Sequence, residues 1–346
     1  MECNYFAFVG TNSVRGSRGI YSIKIDAKSL KPVIASARQF YNSGSVALSQ
    51  NDRYLYAACE GMTFHGYADG GVSAFEISDK GELTEIGSQR SFGQRTCCVT
   101  LGIDDRELFA CNFYTGTFTA YELNDQGKPE KVLYTIASPK IPGAWLALHC
   151  VKAIDMNYVG VISLTECALV VYEAKTGRRV YSYQFPDHPF CRYIETIKRY
   201  VYALMQDTGD IYIFKNELNK RNKLELIQKI SLQDVSYKGD FGATTLHASP
   251  DGRLLIAATR VTNTLTVFRV HDDGTLERSD IVELPGAVPR DFNISRDGRI
   301  VVTACQKSDE ICVHRIDYEN GTLDFTEGCK VSVPSPATVS VSDCRF

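Results

Sequence analysis

Four basic side chains stand out by where they fall. His149, Arg192, Arg260 and Arg290 each sit at the start or the end of a short apolar run. Arginine's planar fork takes a carboxylate or phosphate bidentately and keeps its charge at neutral pH. Histidine titrates near neutrality and serves as a general base or acid. Gathered in one place, these groups would bind an anion, activate water and stabilise a developing oxyanion. Glu60 and Gln206 close two further runs of the same kind. None of these residues is a near neighbour of another in sequence, so only the fold can assemble them.

The element that positions them is a repeat. Apolar runs ending in a polar residue cover 5–11, 54–60, 107–113, 158–164, 200–206, 254–260 and 300–306. Their starts are 49, 53, 51, 42, 54 and 46 residues apart. Each is followed by a second, alternating run, at 19–26, 71–78, 117–124, 168–175, 210–217, 264–271 and 310–317, rich in β-branched and aromatic residues. Turn signals such as Asp273-Gly-Thr-Leu and Asn320-Gly-Thr-Leu come next, and a glycine there supplies the positive φ of a tight hairpin. Another strand follows each turn. A further strand precedes most copies, at 45–49, 97–103, 149–154, 192–196, 245–249 and 291–295.

Four antiparallel strands per unit, repeated radially without a long helix, predict an all-β, seven-bladed β-propeller spanning 1–346 as one domain. The first copy lacks a preceding strand, and the terminal segment 336–341 lacks a following partner. The N- and C-terminal strands are therefore expected to share one blade and close the ring, which removes a free edge. On that frame, the starts of the innermost strands and the ends of the second strands meet on one face near the axis.

Composition narrows the function. The 346 residues carry 38 Lys+Arg against 41 Asp+Glu, a formal charge of −3, which argues against a nucleic-acid partner. No run approaches the ~20 apolar residues of a membrane span, and no secretory leader is evident at the start. The twelve cysteines contain no Cys-x-x-Cys pair and read as reduced packing thiols in the cytoplasm. No His/Asp/Glu cluster has metal-ligand spacing and no phosphate loop is present, so neither metal nor cofactor is expected. His65, His188 and His271 read as loop or strand-edge residues. Monomer is the default for a closed ring, with a dimer left open.

The repeat is neither the Trp-Asp type, since the chain has a single Trp, nor the kelch type. Phe8-Val-Gly-Thr with Gly19-Ile-Tyr, Ser249-Pro-Asp-Gly-Arg with Thr264-Leu-Thr-Val-Phe-Arg-Val, Pro289-Arg-Asp-Phe-Asn-Ile-Ser-Arg-Asp-Gly-Arg, Asn320-Gly-Thr-Leu and Val333-Pro-Ser-Pro resemble the seven-bladed lactonase family. That family includes propeller-type bacterial 6-phosphogluconolactonases and fungal carboxymuconate lactonizing enzymes. The resemblance covers essentially the whole chain. It implies a site of one His, two Arg and a Glu, matched here by His149, Arg192 and Arg260, with the carboxylate position falling on Gln206. The segment Ala147-Leu-His149 lacks the first His of a His-x-His, and Tyr193 replaces a histidine after Arg192.

The expected function is a lactonase-type hydrolase acting on a small anionic lactone or sugar acid, such as 6-phosphogluconolactone. His149, Arg192, Arg260 and Gln206 would form the catalytic set, with Arg290, Asp240, Glu60 and Trp145 contacting substrate. A non-enzymatic propeller that binds a metabolite or protein, and a muconate-type lactonizing isomerase, stay open as alternatives.

Overall fold

The computed structural model describes residues 4–60, 66, 69–187, 189–233 and 239–343. His65, His188, Cys3 and Cys344 lie outside them. The chain folds into seven four-stranded antiparallel sheets. The only helix among the described residues is one turn, Leu218–Arg221, and no helix is long and apolar enough to cross a membrane.

The first blade is built from both ends of the chain. Its order is Pro336–Val341, Asn4–Thr11, Gly19–Asp26, Pro32–Gln39. Phe8 lies opposite Ser340 and Val9 opposite Val339, antiparallel. In the other six blades the sheet order follows the chain. Their inner strands are Ser43–Leu48, Thr96–Leu101, Leu148–Ala153, Cys191–Ile197, Ala243–Ala248 and Pro289–Ile294. Each inner strand touches those of the two neighbouring blades, so the seven stand around one axis.

The apolar runs are explained by what lies on either side of each blade. Tyr5, Ala7 and Val9 enter a core shared with the seventh blade, while Phe6 and Phe8 enter one shared with the second. Seven such cores separate the seven blades. A strand buried on both faces needs a continuous hydrophobic run rather than alternation. The hairpin glycines do what the sequence implied: Gly274 has φ +82, and its carbonyl accepts the hydroxyl of Tyr202 from the preceding blade at 3.0 Å.

One irregularity recurs in all seven blades. Near its start each inner strand carries one residue more than its partner strand. The bulged residues are Ala337, Gly44, Cys97, His149, Arg192, Thr244 and Arg290. A bulge bends the strand and re-aims a side chain. Counting three residues on from each bulge gives a second level: Ser340, Ala47, Thr100, Lys152, Glu195, His247 and Asn293. The seven bulge residues and, of the second level, Thr100, Lys152, His247 and Asn293 line the central cavity as an upper and a lower ring.

Closure predicts a stability effect at Phe8, which is fully buried on the strand that receives the C-terminal segment. Phe8→Ala should cost about 3–5 kcal/mol, read as a lowered urea midpoint with an unchanged slope. A midpoint equal to the parent's would mean that this contact is not part of the cooperative unit.

Candidate functional site

A cavity of about 300 Å³ opens at the axis and is lined from all seven blades. Its walls include Glu60, His149, Arg192, Gln206 and Arg290. Three of these, His149, Arg192 and Arg290, are bulge residues of adjacent or nearly adjacent inner strands.

Arg192 is the buried centre of the upper ring, 5% exposed. Its Nε donates to the Thr244 carbonyl at 2.9 Å and its Nη1 to Gln206 Oε1 at 2.6 Å. Both acceptors are neutral. Arg290 and Arg260 form no ion pair with any described residue, although Arg260 feels the field of Asp240. Burial, then Arg290 and Arg260, weigh against the proton on Arg192. A guanidinium does not surrender that proton in a protein, so Arg192 keeps a buried charge that its two neutral acceptors do not compensate. Glu60 is engaged elsewhere: its carboxylate meets Arg95 Nε at 3.4 Å and folds over Gly44, where any side chain would collide with it.

His149 stands between two rings. Phe113 meets it edge-on at 5.8 Å and Phe190 at 6.3 Å. Burial, followed by the charges of Arg192 and then Arg290, holds its imidazole well below the usual range. It is neutral at neutral pH, the form in which an imidazole can accept a proton.

The remaining expected residues stand outside the cavity wall. Trp145 is 58% exposed and packs edge-on against Phe113 at 5.1 Å, so it touches the site through Phe113. Arg260 lies at the mouth, beside Gly242, whose φ is +54 and whose missing Cβ leaves room for the Arg260 side chain. Asp240 is exposed and accepts the Gly242 N–H at 2.9 Å. It shapes the turn that seats Arg260 rather than reaching the cavity.

The structure also brings in residues that the sequence reading passed over. Arg95 lies over Phe113 and Tyr114, 5.3 and 5.0 Å from their ring centroids, on a backbone with φ +59. Lower down runs an ionic chain. Lys152 Nζ meets Glu195 at 2.9 Å, the other Glu195 oxygen meets His247 Nδ1 at 3.4 Å, and His247 Nε2 meets Asp291 at 3.4 Å. Asp291 then accepts the Val339 N–H at 2.9 Å. The chain thus links blades four, five, six, seven and one. Burial alone would lower the proton affinity of His247, but its two carboxylates outweigh that and raise it. Burial likewise opposes ionisation of Glu195, yet Lys152 and His247 bring its pKa down to about 2. The one available signal was register: Lys152, Glu195 and His247 each fall three residues past a bulge.

The ten cysteines among the described residues are free thiols. Cys97 and Cys98 line the cavity, and the Cys97 sulfur lies 3.6 Å from the His149 carbonyl. No group of three or more His, Cys, Asp or Glu among the described residues is arranged to hold a metal ion.

Comparison with known proteins agrees with this architecture. A 6-phosphogluconolactonase of Bacillus subtilis is 25% identical over 349 residues, covering 97% of each chain. An uncharacterised Lactococcus lactis protein is 24% identical over 344 residues, covering 92% of this chain and 94% of its own. Among solved structures, the periplasmic gluconolactonase of Pseudomonas aeruginosa superposes with a TM-score of 0.86 at 22% identity, covering 98% of this chain and 99% of its own. The family model for the seven-bladed β-propeller lactonases matches residues 6–341. The chain therefore belongs to the seven-bladed β-propeller lactonase family.

Proposed function

We propose that this lactonase-family protein hydrolyses an anionic sugar lactone, 6-phosphogluconolactone being the model substrate. One observation carries the reading: a neutral imidazole shares a cavity of about 300 Å³ with guanidinium groups that have no carboxylate partner. The relatives named as 6-phosphogluconolactonases support the substrate class. The unpaired thiols fit a cytoplasmic setting.

The steps follow from the residues. The anionic group of the substrate docks against Arg290 and Arg260. His149 takes a proton from a water as that water attacks the lactone carbonyl. Arg192 faces the oxyanion that develops, in a dry site where such a contact is worth more than in water. Collapse of the tetrahedral intermediate breaks the ring C–O bond. The leaving alkoxide takes back the proton from the His149 imidazolium, and a hydroxy acid departs. Gln206 keeps Arg192 in place without cancelling its charge. The substrate's negative charge offsets the guanidiniums that depress His149, so its proton affinity rises once substrate is bound. The base is thereby strengthened when it is needed.

A coupled assay of 6-phosphogluconolactone opening tests this. His149→Ala should lose about 10²–10⁴-fold in rate. Arg290→Gln should raise KM for the phosphorylated lactone roughly 10–100-fold, equivalent to about 1.5–3 kcal/mol for a hydrogen bond to a charged group, with a smaller effect on unphosphorylated glucono-δ-lactone. Wild-type and His149→Ala rates that both equal the spontaneous rate would sink the proposal.

The sign of the pH dependence is also fixed. A depressed imidazole stays neutral as pH falls through its usual value of about 6.5. Titrating isotope-labelled histidines by NMR should show His149 losing its proton below that value in the free protein. Saturation with 6-phosphogluconate should move its midpoint upward. His247, held by two carboxylates, should stay protonated above about 6.5. A His149 midpoint at or above the ordinary value in the free protein contradicts its role as the resting base.

A further inference from the structure

Below the guanidinium ring the cavity changes character. Its wall there carries four uncharged hydrogen-bonding side chains from four different blades: Thr100, Tyr193, Thr245 and Asn293. Among the described residues none of the four has a side-chain hydrogen-bond partner. Thr245 makes the point most sharply. It is 7% exposed and its buried hydroxyl has no partner. The hydroxyl of its neighbour Thr244 donates to the Pro289 carbonyl at 3.0 Å. Buried polar groups are as a rule satisfied, so the orphaned Thr245 hydroxyl, with three half-buried side chains open beside it in the same cavity wall, marks a place for a ligand's polar groups.

The charges at the same depth are already consumed. Glu195 is held by Lys152, by His247 and by the Thr196 N–H at 2.8 Å. Asp291 is held by His247 and by the Val339 N–H. Lys152 and His247 face these two carboxylates, so both carboxylates are already engaged within the chain. An anionic group is drawn instead to the open guanidiniums above.

We propose that Thr100, Tyr193, Thr245 and Asn293 form a polyol subsite that reads the ring hydroxyls of the lactone, while the arginines above take its anionic group. The proposal rests on the lactonase reading and narrows it. A hydroxyl both donates and accepts, as does each threonine and tyrosine hydroxyl and, through its two atoms, the asparagine amide. A lactone without hydroxyls, or an unsaturated dicarboxylate, leaves all four groups unpaired on binding. A site of this kind discriminates mainly by that penalty.

The test compares glucono-δ-lactone with δ-valerolactone, which has the same ring and no hydroxyls, in wild type, Tyr193→Phe, Thr245→Val and Asn293→Ala. Thermal unfolding of each variant checks its fold. Wild type should prefer the polyol lactone in kcat/KM. Each variant should lower kcat/KM for glucono-δ-lactone about 3–10-fold, the effect of one neutral hydrogen bond, and leave δ-valerolactone within about twofold. Equal losses on both lactones, or none on either, overturn the subsite while leaving the lactonase reading intact. If wild type opens neither lactone nor the phosphorylated one, the lactonase reading fails. Calorimetry with gluconate and pentanoate then decides the subsite separately. Weaker gluconate binding with unchanged pentanoate binding in the variants supports it, and equal effects on the two ligands overturn it.

Discussion

A ring of blades exists only if its ends meet. Here they meet through backbone pairing of Pro336–Val341 with Asn4–Thr11, two segments separated by nearly the whole chain. Without that pairing the first and seventh blades would each present an open edge, and edges recruit other strands. With it, each of the seven inner strands has two neighbours, and every intervening core is enclosed on both sides. The site depends on this constraint more than on any single side chain. His149, Arg192 and Arg290 come from separate blades, and no local structure would hold them near one another.

The second determinant is the shared bulge. A regular strand would send residues at odd separations to opposite faces. The extra residue at each inner-strand start breaks that parity, so in four blades the bulged residue and the residue three further on both line the channel. The upper ring leaves its guanidiniums without carboxylates, while the lower ring pairs every charge. That contrast has an energetic logic. A buried, unpartnered charge is costly, and functional sites are where a fold tolerates such cost. The lower chain of Lys152, Glu195, His247 and Asp291 ties adjacent inner strands laterally at the depth where the upper ring pushes them apart. A buried ion pair adds modest net stability once desolvation is counted. Its value here is in fixing where each inner strand stands relative to the next.

The sequence exposed the frame and part of the site for different reasons. Runs such as 200–206 are legible because a strand covered on both faces must be apolar throughout. The closing strand is legible because one copy lacks a partner at each end. His149, Arg192, Gln206 and Arg290 are legible because they begin or end strands, where repeat spacing puts them on one face. Lys152, Glu195 and His247 are not. They lie inside strands, and strict alternation assigns them a face that the bulge then reverses. Arg95 depends on a positive-φ loop residue, which no repeat pattern announces. In the sequence, Trp145 and Asp240 stay open between substrate contact and a packing or turn role; Trp145 packs edge-on against Phe113, and Asp240 accepts the Gly242 N–H in a turn.

The amide at Gln206 has a chemical consequence for the whole site. It accepts from Arg192 at 2.6 Å, as a carboxylate would, and so preserves the geometry. It neither takes nor gives a proton near neutral pH, and it does not cancel the guanidinium's charge. The other carboxylate at this level, Glu60, is committed to Arg95. In the proposed mechanism, proton transfer in the upper ring therefore falls to His149. Hydrolysis of a lactone accommodates that restriction, because one base can take the water's proton and return it to the alkoxide in sequence. A ring-forming isomerisation that protonates carbon leans on a dedicated acid beside the base, and this ring has none among the described residues. An amide at this position thus suits the proposed hydrolysis better than an isomerisation and leaves the cavity more positive than a carboxylate would.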